Sequence, residues 1–592
     1  MYETSVINPG DRECYEPPEL VGIDTVTIYR YNLDRQLTEI ERPGGEIVDF
    51  DYDTGGRLDT ISSDAGVVDY SYHPDTGQLA TIDTSDGIEL TYTWDGFLPI
   101  SESWSSPVSG TVTRAYDNNF WLTTETAAGY AVTYSYDDDG LLTGAGQLEL
   151  VRNPDNGLLT GASLADIVGS RSYNAFGELM DREVEIDAIP VYQADYNRDR
   201  LGRIEEQTLV IDGSSETWSY FYDDAGRLET VERNGLTEHV YIYDDNGNRI
   251  QHTGPGGVVT IADYDEQDRL LQYGDITYTR TEAGERQTRT DTEGTTHYDY
   301  DAATNLREVI LTDGTVIEYL IDGRDRRVGK KIDGELQKTW IYRDQLSPVA
   351  QFDGNGNMTH RFVYAEKAHS PSWMVTIDPV TDEETVYRII TDHLGSIRLV
   401  IEVATGAIVQ RMDYGPFGEV LFDSNPGFQP FGFAGGIYDR DTGLVRFGAR
   451  DYDPEVGRWT AKDPIDFGGG DSNLYGYVLA DPINFIDPVG LDGSPLIGEV
   501  DRDVRQIQDY LRRFERARRD HLTGSGDVDY QDPLFIQKRI NELREELNKL
   551  MFDDLPDSAR DAVNNPQVPK PGRQNRWPRP ENVLDMDFRL CQ

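Results

Sequence analysis

A tyrosine, then aspartate or asparagine, a short turn, and arginine or leucine recur along this chain about every twenty residues, and no other feature limits its fold so tightly. The first copies read YNLDRQL from Tyr31, YDTGGRL from Tyr52, YHPDTGQL from Tyr72 and YTWDGFL from Tyr92, at intervals of 21, 20 and 20 residues. The series continues through YDNNFWL at Tyr116, YDDDGLL at Tyr136, NPDNGLL at Asn153 and YNAFGEL at Tyr173. YNRDRLGRI at Tyr196, YDDAGRL at Tyr222, YDDNGNRI at Tyr243, YDEQDRL at Tyr264, a short-spaced YTRTEAGER at Tyr278 and YDYDAATNL at Tyr298 follow.

Each unit has a physical reading. Its centre, rich in Gly, Asn and Asp, accepts positive φ and makes a tight turn. The flanks, such as EHVYIYDD from Glu238, alternate β-branched and aromatic residues, which is the strand signal. Twenty residues therefore give two strands and two turns, one hairpin rung. The tyrosine ring can pack on a neighbouring rung while its hydroxyl reaches water or a backbone group. About 23 such units, with strands about 4.8 Å apart, make a strip roughly 220 Å long, and a sheet of that length twists and coils. Asp51, Asp53 and Gly56, and again Asp244, Asn246 and Asn248, imitate a calcium loop. Ser62 and Pro255 stand where that loop needs its closing Glu, so these segments read as hairpin turns.

The chain has 592 residues, more than one ordinary core supports, which fits a repeat array or several domains. Its formal charge of -54 repels nucleic acid and anionic membrane. With 35 Tyr it carries too many aromatics for a disordered acidic chain. Cys14 and Cys591 are the only cysteines, so no disulfide framework or cysteine-rich metal site forms. No apolar run approaches 18 residues, and MYETSVINPGDRE lacks the basic head and apolar stretch of a Sec signal peptide. The 54 basic residues comprise 8 Lys and 46 Arg. An acidic, lysine-poor surface suits high salt, and a base-composition bias in the encoding DNA gives the same pattern.

From Ile28 to Leu491 these units resemble YD repeats, the repeat of Rhs proteins, of the B and C components of insecticidal toxin complexes, and of teneurins. The resemblance implies an all-β fold, a strip of β-hairpins coiled into a hollow shell. In toxin complexes two chains make one shell, so it also implies an incomplete shell here, a second shell-completing chain or a leading domain outside this chain. TDHLGSIRLV from Thr391, RMDYGPFGEVL from Arg411, FAGGIYDRDTGLVRFGARDYDPEVGRWTAKDP from Phe433 and NLYGYVLADPINFIDPVGL from Asn473 resemble the Rhs repeat-associated core. Its closing DPVGL, Asp487 to Leu491, is that family's cleavage motif. Asp481 departs from the family, which commonly has Asn before that proline. The expected layout is an N-terminal segment 1–27, repeats 28–390, core 391–491 and a variable C-terminal domain 492–592.

Four aspartates, Asp453, Asp463, Asp481 and Asp487, each precede a proline within 35 residues. Proline pushes the preceding residue toward extended geometry, so such side chains sit at turns and strand ends and can share a space. Paired carboxylates hydrolyse a peptide when one is ionised to activate water and the other protonated to serve the carbonyl or leaving amine. The resemblance assigns self-cleavage to Arg450, Asp463 and Asp487, with Leu491–Asp492 as the severed bond and Leu491 in an apolar pocket. That is a single-turnover aspartyl-type event, with no cofactor or metal. His393, in DHLGS, reads as a packed or hydrogen-bonded residue in preference to a base. No P-loop, HExxH, GxSxG or CxxC motif occurs.

Composition changes beyond Leu491. Residues 493–592 hold 17 Lys or Arg and 19 Asp or Glu, a net of -2, against -52 for the 492 residues before them. Val504, Ile507, Leu511 and Phe514, and then Ile536, Ile540, Leu543, Leu547 and Leu550, follow helical spacing, so a small, mainly α-helical domain is expected. GSGD from Gly524 breaks the two helices, and QVPKPGRQNRWPRPEN reads as extended. RRFERARR from Arg512 reads as a solvated helix face. His521 alone argues no chemistry. By resemblance this module is the cargo, usually a toxin, of a carrier that cuts it free and keeps it enclosed. An immunity protein and a secretion apparatus are then further partners, and the shell binds no nucleic acid. The expected location is secreted or cell-surface by a non-Sec route, or cytoplasmic before export. Two other readings stand beside it: a teneurin-like surface or wall protein that binds without cleavage, and a truncated remnant.

Overall fold

Each YD unit is organised by its aspartate. In YDTGGRL the Asp53 carboxylate accepts from the backbone N–H of Gly55 at 2.8 Å and of Arg57 at 2.9 Å, and Arg57 Nε donates to its other oxygen at 2.8 Å. A short acceptor side chain thus replaces strand pairing at the reversal, which is why Asp or Asn fills the position. Gly56 completes the turn at φ 77°, where a Cβ would be strained. The set recurs at Asp199, Asp223 and Asp265. Asp244 likewise accepts from Asn246 and Asn248, so protein donors meet the turn aspartate in each of the two calcium-like segments.

The tyrosine stitches one unit to the last. Its hydroxyl donates to the carbonyl that opens the preceding strand: Tyr72 to Leu58 at 2.7 Å, Tyr136 to Leu122 at 2.9 Å, Tyr243 to Leu228 at 2.8 Å and Tyr342 to Arg327 at 2.6 Å. To reach it, the ladder shifts register at the tyrosine, as at Tyr52, Tyr72, Tyr222, Tyr243 and Tyr264. The turn arginine then lies over the next tyrosine ring, Arg57 over Tyr72 at 4.3 Å and Arg203 over Tyr222 at 4.3 Å. The tyrosine, aspartate, turn glycine and arginine of the repeat therefore each have a role in bonding or backbone conformation.

The structure, a computed structural model, describes residues 26–491 and the backbone pairing of two short strands, Tyr2–Glu3 and Ser494–Pro495. The expected helices between Val504 and Leu550 lie outside the described residues. The described chain divides into a large unit, residues 26–150, 161–170 and 182–491, and a small one, residues 151–160 and 171–181. In the small unit Tyr173 donates to the Leu159 carbonyl at 2.8 Å and Asn174 caps its own turn. Among the described residues one antiparallel sheet has 39 strands, from Tyr2–Glu3 to Val420–Asp423. That is fewer than 23 two-strand units would supply. The physical reason is that the chain leaves the strip after Asp423 and builds a separate sheet from Ile437–Asp439, Leu444–Phe447, Arg450–Asp453 and Arg458–Trp459.

Within the large unit the strip coils back on itself at a near-constant offset. Arg42 pairs with Glu285, Asp86 with Arg307, and Glu102 with Arg326 at 2.7 Å, separations of 243, 221 and 224 residues. Arg114 reaches the Arg343 carbonyl, Trp373 the Ala145 carbonyl and Arg182 the Thr391 carbonyl, separations of 229, 228 and 209. One wind thus takes roughly eleven repeats. Gly323 permits the approach, since a Cβ there would stand 2.3 Å from Ile82. The main hydrophobic core lies where the winds meet the small sheet. Ile82, Leu90, Trp104 and Val112 join Trp340, Ile341 and Phe362, and then Phe433, Phe447, Tyr452, Trp459 and Tyr477.

Candidate self-cleavage site

The small sheet delivers Arg450 to the site. A tight reversal, Phe447 paired with Arg450 around Gly448, ends one strand and begins the next. The segment DPVGL is threaded against this reversal. Ala449 N–H donates to the Val489 carbonyl at 2.9 Å. A Cβ on Gly490, at φ 69°, would lie 2.4 Å from the Phe447 carbonyl oxygen, so the fourth letter of the motif is glycine for want of space.

Arg450 is 3 % exposed and its Nη2 lies 2.9 Å from Asp463 Oδ2 and 3.3 Å from Asp487 Oδ2. Its Nε donates to the Gly490 carbonyl, and Trp459 covers the guanidinium at 4.2 Å. Burial pushes Arg450 below its usual range, against the pull of both carboxylates. Asp463 is fixed by its own turn, its Oδ1 accepting from Ile465 N–H at 3.0 Å. Asp487 Oδ1 accepts from Leu491 N–H at 3.1 Å, one residue before the expected scissile bond.

Gly469 measures how near the second carboxylate comes to that bond. A Cβ there would sit 2.6 Å from the Leu491 carbonyl oxygen and 2.8 Å from Asp463 Oδ2. The two oxygens are therefore no farther apart than the sum of those legs, close enough for one water to touch both. The strand Phe485–Ile486 pairs antiparallel with Ser494–Pro495. Leu491 is half-buried, and Asp492 lies outside the described residues.

Of the four Asp-Pro carboxylates, only Asp463 and Asp487 share this space. Asp453 pairs with Arg286 at 2.7 Å, and Asp481 accepts from Asn484 at 2.9 and 3.0 Å. His393 packs its ring on Tyr196 at 5.0 Å and bonds the Ile483 carbonyl through Nε2 at 2.9 Å. Burial lowers its pKa to about 4.

Sequence reasoning assigned no role to Trp459, Gly469 or Tyr477. Trp459 lids the cation, Gly469 leaves room for the two oxygens, and the buried Tyr477 hydroxyl lies beside Asp487. Its pKa is raised well above the ordinary value by burial first and that charge second. Val478, Leu479 and Ala480 follow it in the left-handed region, at φ 44°, 56° and 58°. Such residues cost about 1–2 kcal/mol each, so the packing around Tyr477 and Asp481 over-determines that turn. Nothing in NLYGYVLADP announces that turn, because Val478, Leu479 and Ala480 are residue types that disfavour left-handed backbone.

The profile of the teneurin YD-shell family matches residues 10–470. Teneurin-3 of Danio rerio is 27 % identical over 511 residues, covering 81 % of this chain and 18 % of its own. Teneurin-4 of Homo sapiens is 27 % identical, covering 76 % and 16 %. The chain thus spans less than a fifth of the length of these curated relatives. Among solved structures, the TcdB2-TccC3 complex aligns with a TM-score of 0.67 at 17 % identity, over 78 % of this chain and 28 % of its own. The Tc holotoxin pore of Photorhabdus luminescens gives 0.67 at 17 %, over 79 % and 27 %.

Proposed function

The chain belongs to the teneurin YD-shell family, and on that premise we propose that it is a carrier whose coiled strip encloses residues 492–592 and cuts them free after Leu491. One observation carries this reading: a single buried guanidinium holds two carboxylates beside the backbone of Gly490 and Leu491. Two carboxylates against one cation leave one negative charge in excess, and a proton shared by the pair removes it. In the proposed reaction Asp463 takes a proton from a water that attacks the Leu491 carbonyl carbon. Asp487, already bonded to Leu491 N–H, supplies the proton that lets the Asp492 amine depart. Arg450 keeps both carboxylates in place and draws the chain in through the Gly490 carbonyl. The event happens once per molecule.

The proposed layout keeps repeats 28–390, core 391–491 and cargo 492–592, with a second chain or an immunity protein as candidate partners. A denaturing gel of the purified chain tests it. Scaling 66.8 kDa by length, bands of about 55 and about 11 kDa are expected. The small fragment should begin at Asp492 on N-terminal sequencing. Asp463→Asn and Asp487→Asn should leave the chain whole. Cleavage that survives both substitutions would falsify the assignment. A wild-type chain that stays whole supports the second reading, teneurin-like binding without cleavage. That reading is favoured by the relatives at 27 % identity being teneurins.

A further inference from the structure

Buried carboxylates in this chain are met by arginine almost wherever they occur. Asp453 has Arg286, Asp451 has Arg327 and Arg446, Asp322 has Arg326, and Glu366 has Arg388. Among the described residues one buried ion pair departs from this, that of Lys330 with Asp439. The other lysine pairs, Lys331 with Glu318 and Lys462 with Asp466, are at the surface. In a chain with 8 Lys and 46 Arg, position 330 holds the one kind of cation that can lose a proton and become a nucleophile.

The surroundings fit that chemistry. Lys330 is 5 % exposed and stands in the strip strand Arg327–Ile332. Asp439 is 8 % exposed and ends the strand Ile437–Asp439 of the small sheet. Lys330 Nζ lies 2.6 Å from Asp439 Oδ1 and 2.7 Å from Oδ2. Near-equal distances to both oxygens put Nζ edge-on to the carboxylate, about 3 Å from its carbon, so that a rotation of the carboxyl group about its own axis is what would present its face to the amine. Asp441 Oδ2 is 2.6 Å from the same Nζ. Tyr319 donates its hydroxyl to Asp439 Oδ2 at 2.6 Å, and Asp441 N–H donates to Oδ1 at 3.0 Å.

We propose that Lys330 and Asp439 condense to an intramolecular isopeptide bond, with Asp441 as proton shuttle and Tyr319 as the group that polarises the carboxyl. The resting pair is ionic. Burial pushes the Asp439 carboxyl up, but Lys330 beside it holds it below its usual range. One proton first passes from Nζ to Asp439, giving a neutral amine and acid without changing the net charge of the pair. The Nζ lone pair attacks the carboxyl carbon, and negative charge gathers on Oδ2, where the Tyr319 hydroxyl meets it. Asp441 takes the second Nζ proton and passes it to the departing Oδ1 hydroxyl. A C–N bond forms, a C–O bond breaks, one water leaves, and the amide keeps one hydrogen. No oxidant, metal or further reactant takes part. The product would join the strip to the small sheet across 109 residues of chain.

Intact-mass spectrometry and a tryptic map of the purified full chain test this. The fragment containing both residues should be lighter than its sequence by the mass of one water. A branched peptide linking Lys330 to Asp439 should replace the two linear ones, and trypsin should not cut after Lys330. Lys330→Arg keeps the cation, and Asp441→Asn keeps the side-chain volume, so both should fold, restore the full mass and abolish the branched peptide. Full mass with ordinary cleavage after Lys330 in the wild-type chain overturns the proposal. So does a water loss that persists in Lys330→Arg, because it then belongs to another site.

Discussion

Asp–Arg pairs hold both the turns of the strip and the small sheet, but in different surroundings. At the early turns of the strip the partners are four residues apart and wet, the Asp53 and Arg57 side chains being 20 % and 42 % exposed, whereas the same pair at Asp322 and Arg326, where the winds meet, is dry. In the small sheet the same two residue types are dry, and they meet both locally, Arg446 being five residues from Asp451, and across long stretches of chain. Asp451 and its partners Arg327 and Arg446 have side chains no more than 3 % exposed, and Arg327 lies 124 residues away. A wet pair shapes a turn and adds little stability, whereas a dry pair is costly to break because the survivor keeps its charge without water. A wet turn such as Asp53–Arg57 is therefore a local decision, and the dry pairs, in the small sheet and between winds of the strip, are where distant chain is tied together.

The largest test of that contrast is Asp451→Ala, which strands two buried guanidinium groups. It should lower stability by about 3–5 kcal/mol in chemical denaturation and open the small sheet to protease before the strip. Next comes Asp481→Asn, a change in the opposite direction. Burial raises the Asp481 pKa to about 6 from 3.8. A raised folded-state value means the stability it supports is complete below the unfolded pKa and is lost as pH rises through about 6. At pH 7 the substitution should stabilise by on the order of 3 kcal/mol, and at pH 4 by almost nothing, read as the difference in melting temperature between the two chains. In the strip, Tyr243→Phe removes one hydroxyl bond to the Leu228 carbonyl and should cost about 1 kcal/mol. Arg57→Ala should leave global unfolding unchanged and speed amide exchange only in its own turn. A large global effect at Arg57, or a small one at Asp451, would erase the distinction.

The same contrast decides what was legible in the sequence. The repeat, its turn and its strand pairing follow from residues within about twenty positions of each other, so Tyr52, Asp53, Gly56 and Arg57 announced their roles together. For the tyrosine hydroxyl the sequence left two acceptors open, and the structure selects the backbone carbonyl. At the site, the resemblance of one segment brought Arg450, Asp463 and Asp487 to attention, and they do converge. The Asp-Pro pattern alone did not separate these from Asp453 and Asp481, because what distinguishes them is the partner each finds in space. Arg286, Arg327 and Lys330 carried a faint signal, charged residues inside strand runs, but their partners lie more than a hundred residues on. The coil that brings them together is set by accumulated twist, which no local pattern records.

The spacing between winds also constrains how a chain like this can evolve in length. A straight solenoid can lose an internal repeat and heal, since each repeat touches only its neighbours. Here deletion of one unit between Glu102 and Arg326 would slide one wind past the next by a whole rung. Ion pairs, glycine contacts and core side chains beyond the cut would all face new partners. Internal growth or shrinkage therefore carries a penalty that grows with the number of crossings displaced, so insertions should be confined to turn tips, where they leave the count of rungs unchanged.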